Sequence, residues 1–445
     1  MRPLVPLEDP TRTSPTPEAF ATHLGTRFRC TCFVRGAELL DTGAAPLEEL
    51  ASAAVLWSDP LGQLLVPGSD LETLRDAAAT APVTLVAGGA GVSPLSLEKA
   101  LLTAGLPTAF RGWLANDAGA KSIPAVVVSS AAAPRDASPA EFRVVALVCV
   151  YNEADLVAAA LEKLSTEGVE ILVLDNWSTD GTWEIARSLL GRGVLDVRRF
   201  PASGPSDTFS LSALLTEKER LVRELDADWF LHTDIDEVRR SAWPGVTLRE
   251  GLFLVSCGGY DAVDFTVVVH PAVDEAFVAG MDHERHFRHF AFSSPFWDFL
   301  RVNAFRPAGR DVCLTSSGGH EAIFGGRRVF PFKFLMRHYP IRGQAHGERK
   351  IFRERIGRWD PAETARGWHI QYNGLTHGQS LLADPSGLRL FDDTSFLEEF
   401  LAERLTGLGA LAAKTPEGSD LTRAVPRAEA LDDERKEDRV TKPTE

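Results

Sequence analysis

Apolar and polar positions alternate most informatively in the middle of the chain. Arg143–Val150 (RVVALVCV) is an almost unbroken apolar run, as expected of a strand buried on both faces. It ends at Tyr151-Asn152-Glu153. Leu156, Val157, Ala160, Leu161 and Leu164 then recur at helical spacing, predicting a helix over Ala154–Thr166 that Gly168 stops. Val169–Leu174 is a second apolar strand, closing at Asp175, and Ser178, Thr179 and Asp180 offer caps for a helix to about Leu190. Strand, helix, strand, helix with short joins predicts parallel strands and right-handed crossovers. Ligands of such sheets bind at the C-terminal strand ends, so topology alone makes Tyr151, Asn152, Glu153, Asp175 and Asn176 site candidates.

Upstream, residues 25–130 read as a small α/β domain of unassigned role. Strands are expected at Ala54–Trp57, Gln63–Val66 and Pro82–Ala87, and helices at Asp70–Ala81 and Ser96–Ala104. The turn Ala87-Gly88-Gly89-Ala90-Gly91 lacks the GxGxxG spacing and the lysine of a phosphate loop, and reads as a connector. Residues 1–24 are expected to be flexible, 131–141 have linker composition, 142–400 form the main domain, and the charged stretch 415–445 is expected to be a disordered tail.

Composition narrows the function classes. A chain of 445 residues, 44% apolar and 24% charged, has room for two or three units with a sizeable core. A net charge of -15 disfavours binding to nucleic acid phosphates. Five scattered cysteines without a CxxC pair do not form a disulfide framework, and a reducing cytoplasm is the expected location. Met1–Ala19 has no apolar signal core, and no uninterrupted apolar stretch of about 18 residues predicts a membrane span. Peripheral membrane contact is left open.

The densest chemistry lies in Ala227–Val238 (ADWFLHTDIDEV). A short apolar strand, Trp229–Leu231, runs into His232-Thr233-Asp234-Ile235-Asp236-Glu237. Three carboxylates within four residues repel one another unless a cation or solvent relieves them. Asp234 and Asp236, two apart on an extended chain, point the same way and suit Mn²⁺ or Mg²⁺, hard cations that bridge substrate phosphates. Read alone, the same letters also describe a charged turn.

The order of buried strand, YNE, helix, strand, DNWSTDGT, helix and DIDE resembles the family-2 glycosyltransferases. The likeness is to bacterial members with an NE pair after the first strand and a DxDE motif, over about residues 142–360. The resemblance implies a GT-A fold, α/β and Rossmann-like with a mostly parallel sheet. It implies a hexosyltransferase-like, metal-dependent activity that moves a sugar from a nucleotide-diphosphate sugar to an acceptor hydroxyl, with inversion. A saccharide or glycolipid acceptor in surface polysaccharide or glycolipid synthesis would fit. It further implies that Tyr151 lies against the base, that Asp175 bonds base or ribose, and that Asp234 and Asp236 form the metal motif, Asp236 as the more direct ligand. Relatives carry two adjacent acids where this chain has Asp175-Asn176, and an amide both donates and accepts, so base contacts are expected to differ. A downstream histidine completes the metal shell in such enzymes; His338, closing an apolar run, is the expected residue, and His346 the second choice.

Farther along, Ala262–Val269 is expected to be one strand, with Asp261 and Asp264 either near the site or ordinary strand-end acids. Ser316-Ser317-Gly318-Gly319-His320-Glu321 reads either as a tight turn with a hydrogen-bonded histidine or as backbone brought close to a ligand, and in the second case the bases for an acceptor hydroxyl are Glu321, then His320, with Glu237 third. Between Arg301 and Arg358 stand 13 Lys or Arg against 4 Asp or Glu, and Arg349, Lys350 and Arg353 read either as a basic patch that meets the donor diphosphate or as a solvated cationic helix face. Trp297, Trp359 and Trp368 are either sugar-stacking or core residues. A nucleotidyltransferase would need a glycine-rich basic loop where Tyr151–Asp155 stands; a non-catalytic nucleotide- or sugar-binding module is the rival from another class.

Overall fold

The computed structural model describes four strands and a helix within residues 54–129, and residues 141–396 with short gaps. The expected strand Gln63–Val66, the helix Asp70–Ala81, the glycine turn at 88–91, Trp297, and the segments 1–24 and 415–445 lie outside the described residues.

Three sheets follow one another along the chain. In the first, β1 (Ala54–Asp59), β2 (Val83–Ala87), β3 (Thr108–Ala115) and β4 (Ser122–Ser129) pair in the order β1-β2-β4-β3, antiparallel throughout. Helix α1 (Pro94–Thr103) lies against β3 and β4. Phe110 of β3 reaches the core of the following domain, with its ring 4.8 Å from that of Phe332.

The second sheet holds β5 (Val144–Val150), β6 (Glu170–Asp175), β7 (Val194–Arg199) and β8 (Trp229–Asp234), parallel to one another in the order β7-β6-β5-β8. The chain steps outward from β5 to β7 and then returns to the opposite side of β5, so strand order reverses between β5 and β8. Successive residues of β5 enter opposite cores, as a period of two requires. Val144, Ala146 and Val148 pack with α2 (Val157–Thr166) and α3 (Thr182–Ser188), whereas Val145 and Leu147 pack with α4 (Leu211–Glu224). Both faces are thus covered, which is why these strands read as continuous apolar runs. Helix α2 starts at Val157 and not at Ala154, because Asn152 takes a positive φ of 53° and turns the chain first.

The third sheet is built from β9 (Glu237–Arg240), β11 (Phe265–Val269), β12 (His289–Phe292), β14 (Phe334–His338) and β15 (Arg389–Leu390), in the order β15-β12-β11-β14-β9. Two short strands, β10 (Ala262–Val263) and β13 (Ala304–Phe305), extend the second sheet beyond β8. The single strand expected over Ala262–Val269 is therefore two strands in two sheets, divided at Asp264. That carboxylate accepts from the Phe265 and Arg301 amides at 2.8 and 2.7 Å and pairs with Lys333 at 2.9 Å, turning the chain from one sheet to the next. A second such corner, Asp234 to Glu237, joins β8 to β9. Helix α5 (Leu248–Cys257) covers the same face as α2. Among the described residues no helix is long and apolar enough to cross a membrane.

Beneath the third sheet, Tyr339 is sandwiched between His270, stacked at 4.9 Å, and the edge of His283 on the short helix α6 (His283–His286). Burial, then Lys163, outweighs Glu284 and Asp282 and brings His283 down to about 4; burial and Arg337 bring His270 to about 3. The unfolded chain takes up these protons near 6.5, the folded one far lower, so stability is full above pH 6.5 and is lost as pH falls toward 4. His283→Phe, which removes two ring nitrogens without hydrogen-bond partners, is expected to match the parent at neutral pH and to show a shallower loss in urea denaturation between pH 6.5 and 4.

Candidate functional site

Where strand order reverses, the C-terminal ends of β5 and β8 open onto a cavity of about 260 Å³. The cavity gathers Tyr151, Glu153 and Asn176 from the first two strand ends, Asp234, Asp236 and Glu237 from the corner, and His320 and Lys350 from the later chain. Asn152, Asp175, Glu321 and His338, also expected at the site, do not line it.

Asp236 sits at the centre of the charge arrangement. Its Oδ2 accepts from Lys350 Nζ at 2.8 Å, and His338 Nε2 lies 3.8 Å from Oδ1. Burial raises this carboxyl, but Lys350 and His338 outweigh it and hold it well below the usual carboxylate range. Burial also disfavours a charged His338, yet contact with Asp236 and the nearby Glu237 leave that imidazole raised. Lys350 reaches Glu153 Oε1 as well, at 3.0 Å, and the other oxygen of Glu153 bonds Arg342, which also holds Asp155 at 2.7 Å. His346 accepts from the Arg342 amide at 3.2 Å and turns Nε2 toward Glu153 at 4.0 Å; burial and Arg342 bring it to about 2, so it is neutral.

The remaining acids differ in what they have left to give. Glu237 Oε2 accepts from Thr233 Oγ1, the Asp234 amide and Arg239 Nη2 at 3.0, 3.1 and 2.6 Å; Arg239 outweighs burial and keeps the carboxyl low. The Asp234 carboxylate is exposed and has no hydrogen bond to the described residues. Glu321, the first choice as base, is paired with Arg327 at 3.0 Å outside the cavity. Asp175 is fully buried; its Oδ2 accepts from Arg199 and the Ser178 amide, and its Oδ1 has no hydrogen-bond partner among the described residues. Asn152 bonds Ser178, Thr179 and Glu354, shaping the strand end from behind. Asp261 pairs with Arg310 and Asp264 with Lys333, both as strand-end acids.

Two histidines face the cavity beside Gly318-Gly319. Lys218 Nζ lies 2.8 Å from His232 Nδ1, and Arg301 Nη1 contacts His320 Nδ1. A charged lysine or arginine only donates, so toward such a partner Nδ1 of each ring is the acceptor. Burial and Lys218 hold His232 well below its ordinary value, which keeps it neutral. With Nδ1 turned to Arg301, His320 lines the cavity beside Gly319.

The far wall comes from the chain beyond Gln344–Glu348 (α7), through the wide π-type turn Arg349–Arg353 to Pro361–Ala365 (α8). Arg358 lies 4.1 Å over the Tyr151 ring and donates to Asn176 Oδ1 at 3.1 Å, while Asn176 Nδ2 donates to the Phe200 carbonyl. Trp359 stacks on His369 and Tyr372. Glu363 fastens this wall to the start of α4, accepting from Ser210 Oγ, the Leu211 amide, both donors of Ser212, and His369 Nε2. Those bonds outweigh burial and bring Glu363 to about 2. His232 was missed by the sequence reading although it shares a strand face with Asp234; Arg301, Arg355 and Arg358 were visible only within a charge count, and nothing local marked His369.

Among the described residues no three His, Cys, Asp or Glu side chains are grouped to hold a metal ion. The surroundings of Asp236 fit an ammonium and an imidazolium. A larger cavity of about 560 Å³ lies against β9 and β14, away from the strand ends; its cations are paired, Arg240 with Glu167 and Glu284, Arg337 with Glu284, and Lys333 with Asp264.

Gly319 has a φ of +85°, and a Cβ there would stand 2.7 Å from His232 Nε2. Gly319→Ala is expected to lose about 1–2 kcal/mol from the backbone alone, read by chemical denaturation. Adding His232→Ala should relieve the clash with that ring and leave the backbone cost and the 3.1 Å contact with Leu215 Cδ2.

Residues 145–234 match the family Glycosyl transferase family 2. The matched stretch is β5 to β8, and with the doubly wound sheet it makes the central domain a Rossmann-like GT-A fold. Among solved structures the chain is similar to S. aureus TarS 1-349 in complex with UDP, at 13% identity and a TM-score of 0.27, covering 45% of this chain and 61% of that one. It is also similar to WbbM, a bifunctional glycosyltransferase in its apo form, at 19% identity and a TM-score of 0.21, covering 33% and 27%. The chain thus spans less than two thirds of either, and neither likeness carries a residue role. No curated protein matches the sequence.

Proposed function

We propose that the protein is a glycosyltransferase that moves a sugar from a nucleotide-diphosphate donor to an acceptor hydroxyl. The observation that carries this reading is the cavity at the reversal between β5 and β8, inside the stretch that matches the family, with an aromatic ring, an amide and the acid motif on its walls. Tyr151 and Asn176 offer a face and an edge to the base, with Arg358 beside both. Lys350 and Arg355, lining the same cavity, stabilise the charge that grows on the departing diphosphate.

The acceptor enters beside Gly318-Gly319, where His232 and His320 offer N–H groups to its oxygens. Asp234 is the cavity acid whose carboxylate no described side chain satisfies, and we assign it the proton of the acceptor hydroxyl. The acceptor oxygen then bonds the anomeric carbon as the bond to the diphosphate breaks, and the electron pair leaves with the nucleotide. Attack opposite the leaving group gives inversion.

The test is release of nucleoside diphosphate from a panel of nucleotide sugars, with binding of the free diphosphates followed by calorimetry. One donor base is expected to be preferred. Asp234→Asn is expected to lower turnover by roughly 10²–10⁴-fold while leaving diphosphate binding in place. Binding without turnover by the parent protein would favour a non-catalytic module, and neither binding nor turnover would sink the reading.

A further inference from the structure

Transfer chemistry alone does not explain why an ammonium is buried inside the acid motif. Lys350 is 3% exposed and touches two carboxylates from different strand ends, Asp236 at 2.8 Å and Glu153 at 3.0 Å. Both acids already face two basic groups each. Asp236 has His338 on its other oxygen, and Glu153 has Arg342.

The position of Lys350 is built, not incidental. It rides on the π-type turn Arg349–Arg353, a wider turn that re-aims its side chains and recurs at functional sites. Arg349 donates to the Asn152 carbonyl at 3.1 Å and to Glu354 at 2.7 Å, and Glu354 accepts from Asn152 Nδ2 at 2.9 Å. These bonds pin the turn to the end of β5. Three further cations, Arg301, Arg355 and Arg358, line the same cavity.

We propose that Lys350 is the resident cation of the acid motif, standing where a divalent metal ion would otherwise stand, so that the donor diphosphate binds without added metal. This rests on the transferase reading for the identity of the ligand. Lys350 brings one positive charge where a metal would bring two, and Arg355 supplies the second from the adjoining wall. The ammonium has three hydrogens; two go to Asp236 and Glu153, and the third is available to a phosphate oxygen.

Calorimetry on the full chain tests this with two probes, the preferred nucleoside diphosphate and Mn²⁺ alone. The diphosphate is expected to bind the parent protein equally well in EDTA and in excess Mn²⁺, and Mn²⁺ alone to find no stoichiometric site. Lys350→Met is expected to weaken the diphosphate about tenfold or more in EDTA. It should also open a Mn²⁺ site, as Asp236 and Glu153 lose their shared partner. Lys350→Arg keeps the charge and is expected to keep EDTA-insensitive binding. Diphosphate binding that disappears in EDTA and returns with Mn²⁺, or a stoichiometric Mn²⁺ site in the parent, overturns the proposal. If Lys350→Met does not fold, as circular dichroism would reveal, the parent titrations and Lys350→Arg still decide. If no nucleoside diphosphate binds under either condition, the transferase reading falls, and the Mn²⁺ titration alone judges Lys350.

Discussion

A carboxylate at a closed corner between two sheets requires a counter-charge before the corner can form. Asp236 is such a carboxylate: 5% exposed, between β8 and β9, with its carbonyl accepting from the Tyr339 amide at 2.9 Å. Its nearest cation, Lys350, lies 114 residues farther along the chain. Removing one partner of a buried pair costs about 3–5 kcal/mol, because the survivor keeps its desolvation penalty. The acid motif and the turn that carries Lys350 are therefore parts of one folding unit, and the site exists only once the late chain has docked on the early sheet.

That dependence organises the wall opposite the strand ends. The parallel strands and the corner supply acids, and the later chain supplies cations, in a stretch far more basic than a chain of net charge -15 would suggest. The attachment is repeated at independent points: Arg342 on Glu153 and Asp155, Arg349 and Glu354 on Asn152, and Glu363 on the start of α4. Each brings together charges or polar groups more than a hundred residues apart. A wall held by so many separate contacts keeps Arg358 over Tyr151 and Trp359 beside the cavity, where Trp359 also stacks on His369 and Tyr372.

The legible part of this protein was the part whose signal is local. β5, β6 and the helices between them could be read from the chain because strands buried on both faces must be apolar at every position. Topology then placed Tyr151, Glu153 and Asn176 at the strand ends, and the structure has all three on the cavity. Asp175 ends the next strand but does not line the cavity: its neighbour there is Arg199 of β7, and a partner 24 residues away leaves no local mark. Asp264 misled for a similar reason, since a strand that changes sheets at a single residue keeps the same apolar letters on both sides. Glu321 sits one residue beyond His320, yet its partner Arg327 holds it outside, a difference of direction that composition does not encode.

The protons of the cavity follow from the same pairings. His232 and His320 each turn Nδ1 to a basic side chain, Lys218 and Arg301. Glu237 is held by Arg239, Asp236 by Lys350 and His338, Glu153 by Lys350 and Arg342, and Glu354 by Arg349. A base must have a lone pair that is not already bonded and must face the substrate. Among the acids that line the cavity those conditions leave Asp234, which is the ground on which the proposed transferase reading gives it the acceptor proton. The first aspartate of the motif then has a different task from the second: Asp236 fixes the cation, and Asp234 stays open because its neighbours have absorbed the charges that would otherwise have closed on it.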